Sequence, residues 1–107
     1  MSKLEKVEKD IEKGKESALL KLALDKDHEV RLSAIAGLGK VGKDDSFNAL
    51  ISMLSDEDPA IRAASAEALG VMNNEHADAH LRHHLEHEAD EAVKRAIKNA
   101  IMGLKRE

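Results

Sequence analysis

Cysteine, tryptophan and tyrosine are absent from this chain, and it contains one phenylalanine, Phe47, and one proline, Pro59. The lack of cysteine excludes disulfides, thiolate metal ligands and cysteine nucleophiles. With a single aromatic residue the core must be aliphatic, which favours packed helices over strands. No apolar run is long enough for a signal peptide or a membrane-spanning helix, so we predict a cytoplasmic location and no membrane partner.

The net charge of −4 hides an uneven distribution of charged residues. Residues 1–43 carry 10 Lys/Arg and 8 Asp/Glu, residues 44–93 carry 2 and 12, and residues 94–107 carry 5 and 1. An acidic middle argues against a nucleic-acid partner, because phosphate binding needs a basic face. The near absence of aromatic residues also removes the surfaces on which single-stranded bases stack.

A short phrase of sequence recurs along the chain. The first copy, DHEVR, begins at Asp27, and the second, DPAIR, begins 31 residues later at Asp58. A looser third copy, DEAVK, follows at an offset of 32 and begins at Asp90. A fixed period between about 20 and 50 residues is typical of solenoids, in which stacked neighbours complete a shared core.

We therefore predict an all-α fold, an α-α superhelix of about three helical hairpins preceded by a short N-terminal helix. The chain is one domain, residues 1–107, by its length. Its predicted units are an N-terminal capping helix and three repeats, at residues 1–14, 15–43, 44–74 and 75–107.

Several residues predict where helices begin and end. The aspartate that opens each copy of the phrase suits an N-cap, because its carboxylate accepts backbone N–H groups that lack a partner in the helix. Pro59 suits a first helical position, and Gly39 and Gly42 suit a helix end. Small residues recur along the second helix of each hairpin, and they predict that successive second helices approach closely.

Two segments resemble HEAT repeats, of the short bacterial and archaeal type named after phycobilisome lyases. They are residues 30–39, which begin with Val-Arg and end with Leu-Gly, and residues 61–70, IRAASAEALG. The resemblance covers about residues 16–105. It implies a right-handed superhelix of HEAT-like hairpins, with the first (A) helices on the convex side and the second (B) helices on the concave side.

The resemblance also implies a ladder in which each cation meets aspartates of neighbouring turns. The expected members are Asp27, Arg31, Asp58, Arg62, Asp90 and Lys94. A lysine lacks the bidentate fork of arginine, so the last rung is expected to be weaker.

Proteins that this chain resembles have several functions. Most are protein-interaction scaffolds, and some are bilin lyase subunits. Deoxyhypusine hydroxylase, a further relative, binds iron through His-Glu dipeptides just after the Val-Arg pair. The corresponding positions here read LS at 32–33, AA at 63–64 and RA at 95–96, and none of these residues ligates iron. The resemblance therefore does not extend to that enzyme.

A cluster of histidines is the clearest candidate for a chemical site in the sequence. Five histidines lie between residues 76 and 87: His76, His80, His83, His84 and His87. Spacings of three and four put side chains on a shared helix face. Imidazole binds zinc, nickel or copper, and Glu75 or Glu88 could complete a site. A dedicated site, opportunistic zinc or nickel binding and a plain solvated face remain alternatives, and we expect no other cofactor.

No catalytic set emerges, because the serines lie in no nucleophile elbow or Ser-x-x-Lys motif, and we predict that the chain is not an enzyme. The leading prediction is a scaffold that binds an unidentified protein through the concave face of the B helices. The residues expected to contact the partner are Leu32, Ile35, Ala63, Glu67, Arg95 and Lys98.

Three alternatives stay open beside this prediction. One is metal binding through the helix at 76–87, and another is a small accessory protein similar to a bilin lyase. The third is a homodimer through an exposed end of the solenoid. The helix bearing Leu4, Val7 and Ile11 either covers the apolar residues of the first B helix or leaves them open to a partner.

Overall fold

The computed structural model describes residues 1–104, and within them the chain forms helices and no strand. The helices are α1 Lys3–Glu12, α2 Glu16–Leu22, α3 His28–Val41, α4 Asp44–Met53, α5 Pro59–Met72, α6 Ala77–Leu85 and α7 Glu91–Gly103. This confirms the all-α prediction. The last helix ends at Gly103, and residues 105–107 of the predicted third repeat lie outside the described residues.

The helices stack in two layers. Helices α2, α4 and α6 form an A layer, and α3, α5 and α7 lie side by side in a B layer. Each A helix packs on the B helix that follows it. Helix α1 packs against α3 much as α3 packs against α5, so it takes the place of a B helix at the start of the array. This serial stacking is that of an α-α solenoid.

The starts of the B helices follow the repeated phrase. Asp27, Asp58 and Asp90 are the N-caps of α3, α5 and α7, and each carboxylate accepts a backbone N–H two or three residues later at 2.9–3.2 Å. Pro59 is the first residue of α5. The predicted caps are therefore confirmed.

The ends of α3 and α5 repeat as well. Their C-caps are Gly42 and Asn73, 31 residues apart, with left-handed φ values of 67° and 57°, whereas the C-cap of α7, Leu104, is extended. Gly39 is not a helix end, because it lies inside α3. A Cβ built on Gly39 would lie 2.7 Å from the carbonyl oxygen of Ala68, so this glycine lets α3 and α5 approach each other.

The core fills the space between the two layers with aliphatic side chains. The largest fully buried ones are Leu19, Ile35, Leu38, Leu50, Ile61, Leu69, Leu81 and Ile97. Because every hairpin contributes a leucine from its A helix and further aliphatics from its B helix, the core runs continuously from α1 to α7.

Candidate functional site

The outward side of the B layer, which we call the B face, carries an open groove between α3 and α5. The groove has a volume of about 470 Å³. Alanines form most of its wall, and Leu32 and Val71 add larger apolar side chains. Val71 is 63% exposed, which is unusual for a valine in a packed helix. The groove therefore leaves apolar surface open to solvent.

Five of the six predicted partner-binding residues lie on the B face. Leu32, Ala63 and Glu67 line the groove. Arg95 and Lys98 are exposed on α7 and border a shallow depression there. Neither forms an ion pair with any residue in the range 1–104.

The placement of Ile35 on the B face was wrong. Its side chain is 0% exposed and belongs to the core. Helix α3 packs against α1, α2, α4 and α5, so the arc of the helix that is buried is wider than a single stripe. Ala66, which occupies the equivalent position 31 residues later in α5, is also 0% exposed.

A ladder of ion pairs joins successive repeats, with different carboxylates from those expected. Lys3 pairs with Asp25 at 2.8 Å. Arg31 pairs with Asp56 at 3.6 Å. Each cation comes from one B-layer helix, and each carboxylate comes from the A–B turn of the next hairpin. The third rung, described next, follows the same rule.

Arg62 and Glu88 form the tightest rung. Nε and Nη2 of Arg62 donate to the two carboxylate oxygens of Glu88 at 2.9 and 3.0 Å. Burial alone would raise the pKa of Glu88, but hydrogen bonds from Arg62, the backbone N–H of Asp90 and His84 outweigh it and lower the pKa to about 2. The side chain of Glu88 is 3% exposed, so this is a largely buried ion pair.

The aspartates expected in the ladder do not pair with Arg31, Arg62 or Lys94, although Asp58 lies 2.8 Å from Nε2 of His28 in the preceding B helix. Asp27, Asp58 and Asp90 cap their own helices, and the ladder carboxylate lies two residues before each of them. That carboxylate also accepts the backbone N–H of the capping aspartate, at 2.9, 2.9 and 3.0 Å along the three turns. Lys94, the expected last cation, pairs inside its own helix with Glu91 at 3.0 Å.

The second rung, Arg31 with Asp56, leaves a hydrogen-bond donor without a partner, and this predicts a stabilising substitution. Nε of Arg31 is buried and has no hydrogen-bond partner among residues 1–104. Asp56→Glu would lengthen the carboxylate to match Glu88, and we expect it to raise the free energy of unfolding by about 1 kcal/mol by pairing this group. Urea unfolding followed by circular dichroism measures the change.

The matched control is Asp25→Glu, whose partner Lys3 is 59% exposed. An exposed pair contributes little, so this variant should unfold at nearly the same urea concentration as the parent. An Asp56→Glu protein that is less stable than the parent would show that the shorter side chain is required in this turn.

The five clustered histidines do not converge on one point. Nδ1 of His76 lies 3.0 Å from an amide oxygen of Asn74. The ring of His80 packs edge-on against Phe47, with 6.3 Å between centroids. Nε2 of His84 lies 3.2 Å from Glu88. The carboxylate of Glu88 is committed to the ladder, so it cannot complete a metal site in the way the sequence suggested.

His83 and His87 do come together, and a third potential ligand lies beside them. Atoms of His83, Glu86 and His87 that could bind a metal all lie within 4.8 Å of one another, and all three residues are exposed. Glu86 was missed from sequence, although it lies three residues after His83 and directly before His87. That spacing could have identified it.

A family model for HEAT repeats matches residues 16–102. The chain belongs to the HEAT repeat family. A search of curated proteins finds no match. HEAT repeats generally serve as protein-interaction scaffolds and are typically not enzymes, which agrees with the prediction of a non-catalytic scaffold. Within residues 1–104, no helix combines the length and the apolar character that crossing a bilayer requires.

Proposed function

We propose that this HEAT repeat protein binds a protein partner, without catalysis, through its B face. The observation that supports the proposal is the open apolar groove between α3 and α5, with Leu32 and the exposed Val71 in its wall. Clefts lined by apolar side chains and bordered by a few charges are the usual docking surfaces for a partner helix.

The charges around the groove define the chemistry of the partner. Arg95 and Lys98 project from α7 without an ion pair among the described residues, and Glu67 projects from α5 at the groove itself. We expect a partner helix with an apolar stripe for the groove and acidic residues facing α7. Rim charges of this kind set orientation and association rate more than affinity.

Affinity capture with quantitative mass spectrometry tests the proposal. Two variant baits are compared with the parent chain. One carries Arg95→Glu together with Lys98→Glu, and the other carries Ala63→Glu in the groove wall. Proteins retained by the parent chain should fall at least about tenfold with either bait, which corresponds to about 1.4 kcal/mol of binding free energy.

The matched control reverses the same amount of charge elsewhere. Lys21→Glu with Lys26→Glu alters exposed lysines at the A helix α2 and its following turn. This control should retain the partner. Equal retention by all the baits would show that another surface binds it.

Three finer predictions remain proposals of the same kind. The repeats are of the phycobilisome-lyase type, the chain acts in the cytoplasm, and an end of the solenoid allows a homodimer. The alternative of an accessory role similar to that of a bilin lyase predicts a red-shifted bilin absorbance on mixing. Sedimentation velocity at several concentrations tests the homodimer.

A further inference from the structure

The third A–B turn is one residue longer than the second. Leu54, at the end of α4, lies two residues before its ladder carboxylate, Asp56. Leu85, at the end of α6, lies three residues before Glu88. Leu54 is buried and Leu85 partly buried, and the ladder is kept in the third repeat, so the extra residue is accommodated at 86–87, in the exposed part of the turn. The regular repeat is interrupted at this point.

Three metal-binding side chains lie together where α6 enters this turn. We propose that His83, Glu86 and His87 form a site for one borderline divalent cation such as Zn²⁺, Ni²⁺ or Cu²⁺. Their ligand atoms lie within 4.8 Å of one another. The two imidazole rings meet edge to face, with their centroids 4.9 Å apart.

The three ligands are available, whereas their neighbours are not. His84 lies on the buried side of α6 against the Arg62–Glu88 ion pair. Arg82, the nearest cation along the helix, donates to Asp78 at 2.9 Å. Its charge is therefore partly neutralised, and the surrounding segment 44–93, with 12 acidic and 2 basic residues, favours a bound cation.

The donor set decides the class of metal. Two imidazoles with one carboxylate suit zinc, nickel and copper, whereas calcium and magnesium prefer oxygen ligands alone. Bonds of about 2.0–2.2 Å place the ligands of a tetrahedral zinc about 3.3 Å apart, so the side chains must close slightly. They are exposed and can rotate without moving the backbone, and water completes the coordination.

Isothermal titration calorimetry of the untagged chain with zinc or nickel chloride at pH 7.5 tests the site. We expect one ion per chain with a Kd between about 1 and 100 μM, because the site is exposed and only three protein ligands are present. His83→Ala and His87→Ala should each weaken binding at least about tenfold. Calcium and magnesium should give no binding heat.

His80→Ala is the matched control, since it removes an exposed histidine of the same helix that lies against Phe47. It should keep the Kd within about twofold. The proposal would be overturned by an equal loss of binding in the control or by undiminished binding in the double His83→Ala/His87→Ala variant. A Kd weaker than about 100 μM in the parent would also overturn it. The site lies on α6 in the A layer, so its failure leaves the proposed B-face function unaffected.

Discussion

Glu88→Gln is expected to lower the free energy of unfolding by about 3 kcal/mol, a large part of the stability of a domain of this size. The substitution removes the charge from a carboxylate that is 3% exposed and leaves Arg62 without its ionic partner. Urea unfolding at pH 7 in the presence of EDTA measures the loss. Asp25→Asn is the matched control, because Lys3 in the equivalent pair is 59% exposed and the loss of that pair should change the stability much less.

The pH dependence of this loss provides a second test. The pKa of Glu88 falls from its ordinary value of 4.5 to about 2 in the folded chain. A lowered pKa stabilises the fold fully above the unfolded value, and the stabilisation disappears as the pH falls through the folded value. The difference between the parent and Glu88→Gln should therefore shrink between about pH 5 and pH 2. A constant difference over that range would show that the ion pair is not its origin.

Gly39→Ala is expected to destabilise the chain by about 2 kcal/mol, although alanine is the better helix former. The added Cβ would lie 2.7 Å from the carbonyl oxygen and 2.9 Å from the Cα of Ala68. Both atoms belong to the backbone of α5, so α3 and α5 must separate. Thermal and urea unfolding measure the loss.

Two other glycines provide controls, because the loss of stability should decrease as the distance from the added Cβ to its nearest neighbour increases. A Cβ on Gly70 would meet Ala100 at 3.3 Å, and a Cβ on Gly103 would meet nothing within 4 Å. The loss should therefore be smaller for Gly70→Ala and absent for Gly103→Ala. Adding Ala68→Gly to Gly39→Ala should not restore stability, because the two closest atoms remain. Full rescue, or a Gly39→Ala protein more stable than the parent, would contradict the close approach.

What the sequence predicted well depends on neighbouring residues. The aspartate caps, Pro59 and the end of α3 at Gly42 follow from the chemistry of single residues acting on the helix beside them. The period of the phrase predicted the stacked layers, because one recurring contact pattern implies one recurring geometry. These features needed no knowledge of which helix lies against which.

What the sequence did not predict depends on packing between helices. Asp27 and Asp25 both precede α3, and only the three-dimensional path of the turn shows that Asp25 faces the previous helix while Asp27 faces its own. Ile35 was misplaced for a related reason. Helix α3 is buried on several sides, and the spacing of apolar residues along one face of a helix does not show this. Only His83 and His87 of the five histidines lie together, because His80 packs on Phe47 and His84 lies beside Glu88, and these neighbours belong to other parts of the fold.

The ladder and the glycine contact both join a repeat to the next one at equivalent positions. Arg31 reaches Asp56 and Arg62 reaches Glu88, while Gly39 meets Ala68 and Gly70 meets Ala100. A duplicate of residues 44–74 inserted after residue 74 would place Arg62 opposite a second Asp56 and Gly70 opposite a second Ala68, the residue types that meet between α3 and α5. It would not reproduce the first junction in the A layer, because Glu16 accepts hydrogen bonds from the buried Ser46 there and the residue 31 positions after Glu16 is Phe47. The B-layer contacts of the second repeat can therefore recur along a longer array, whereas this A-layer contact cannot.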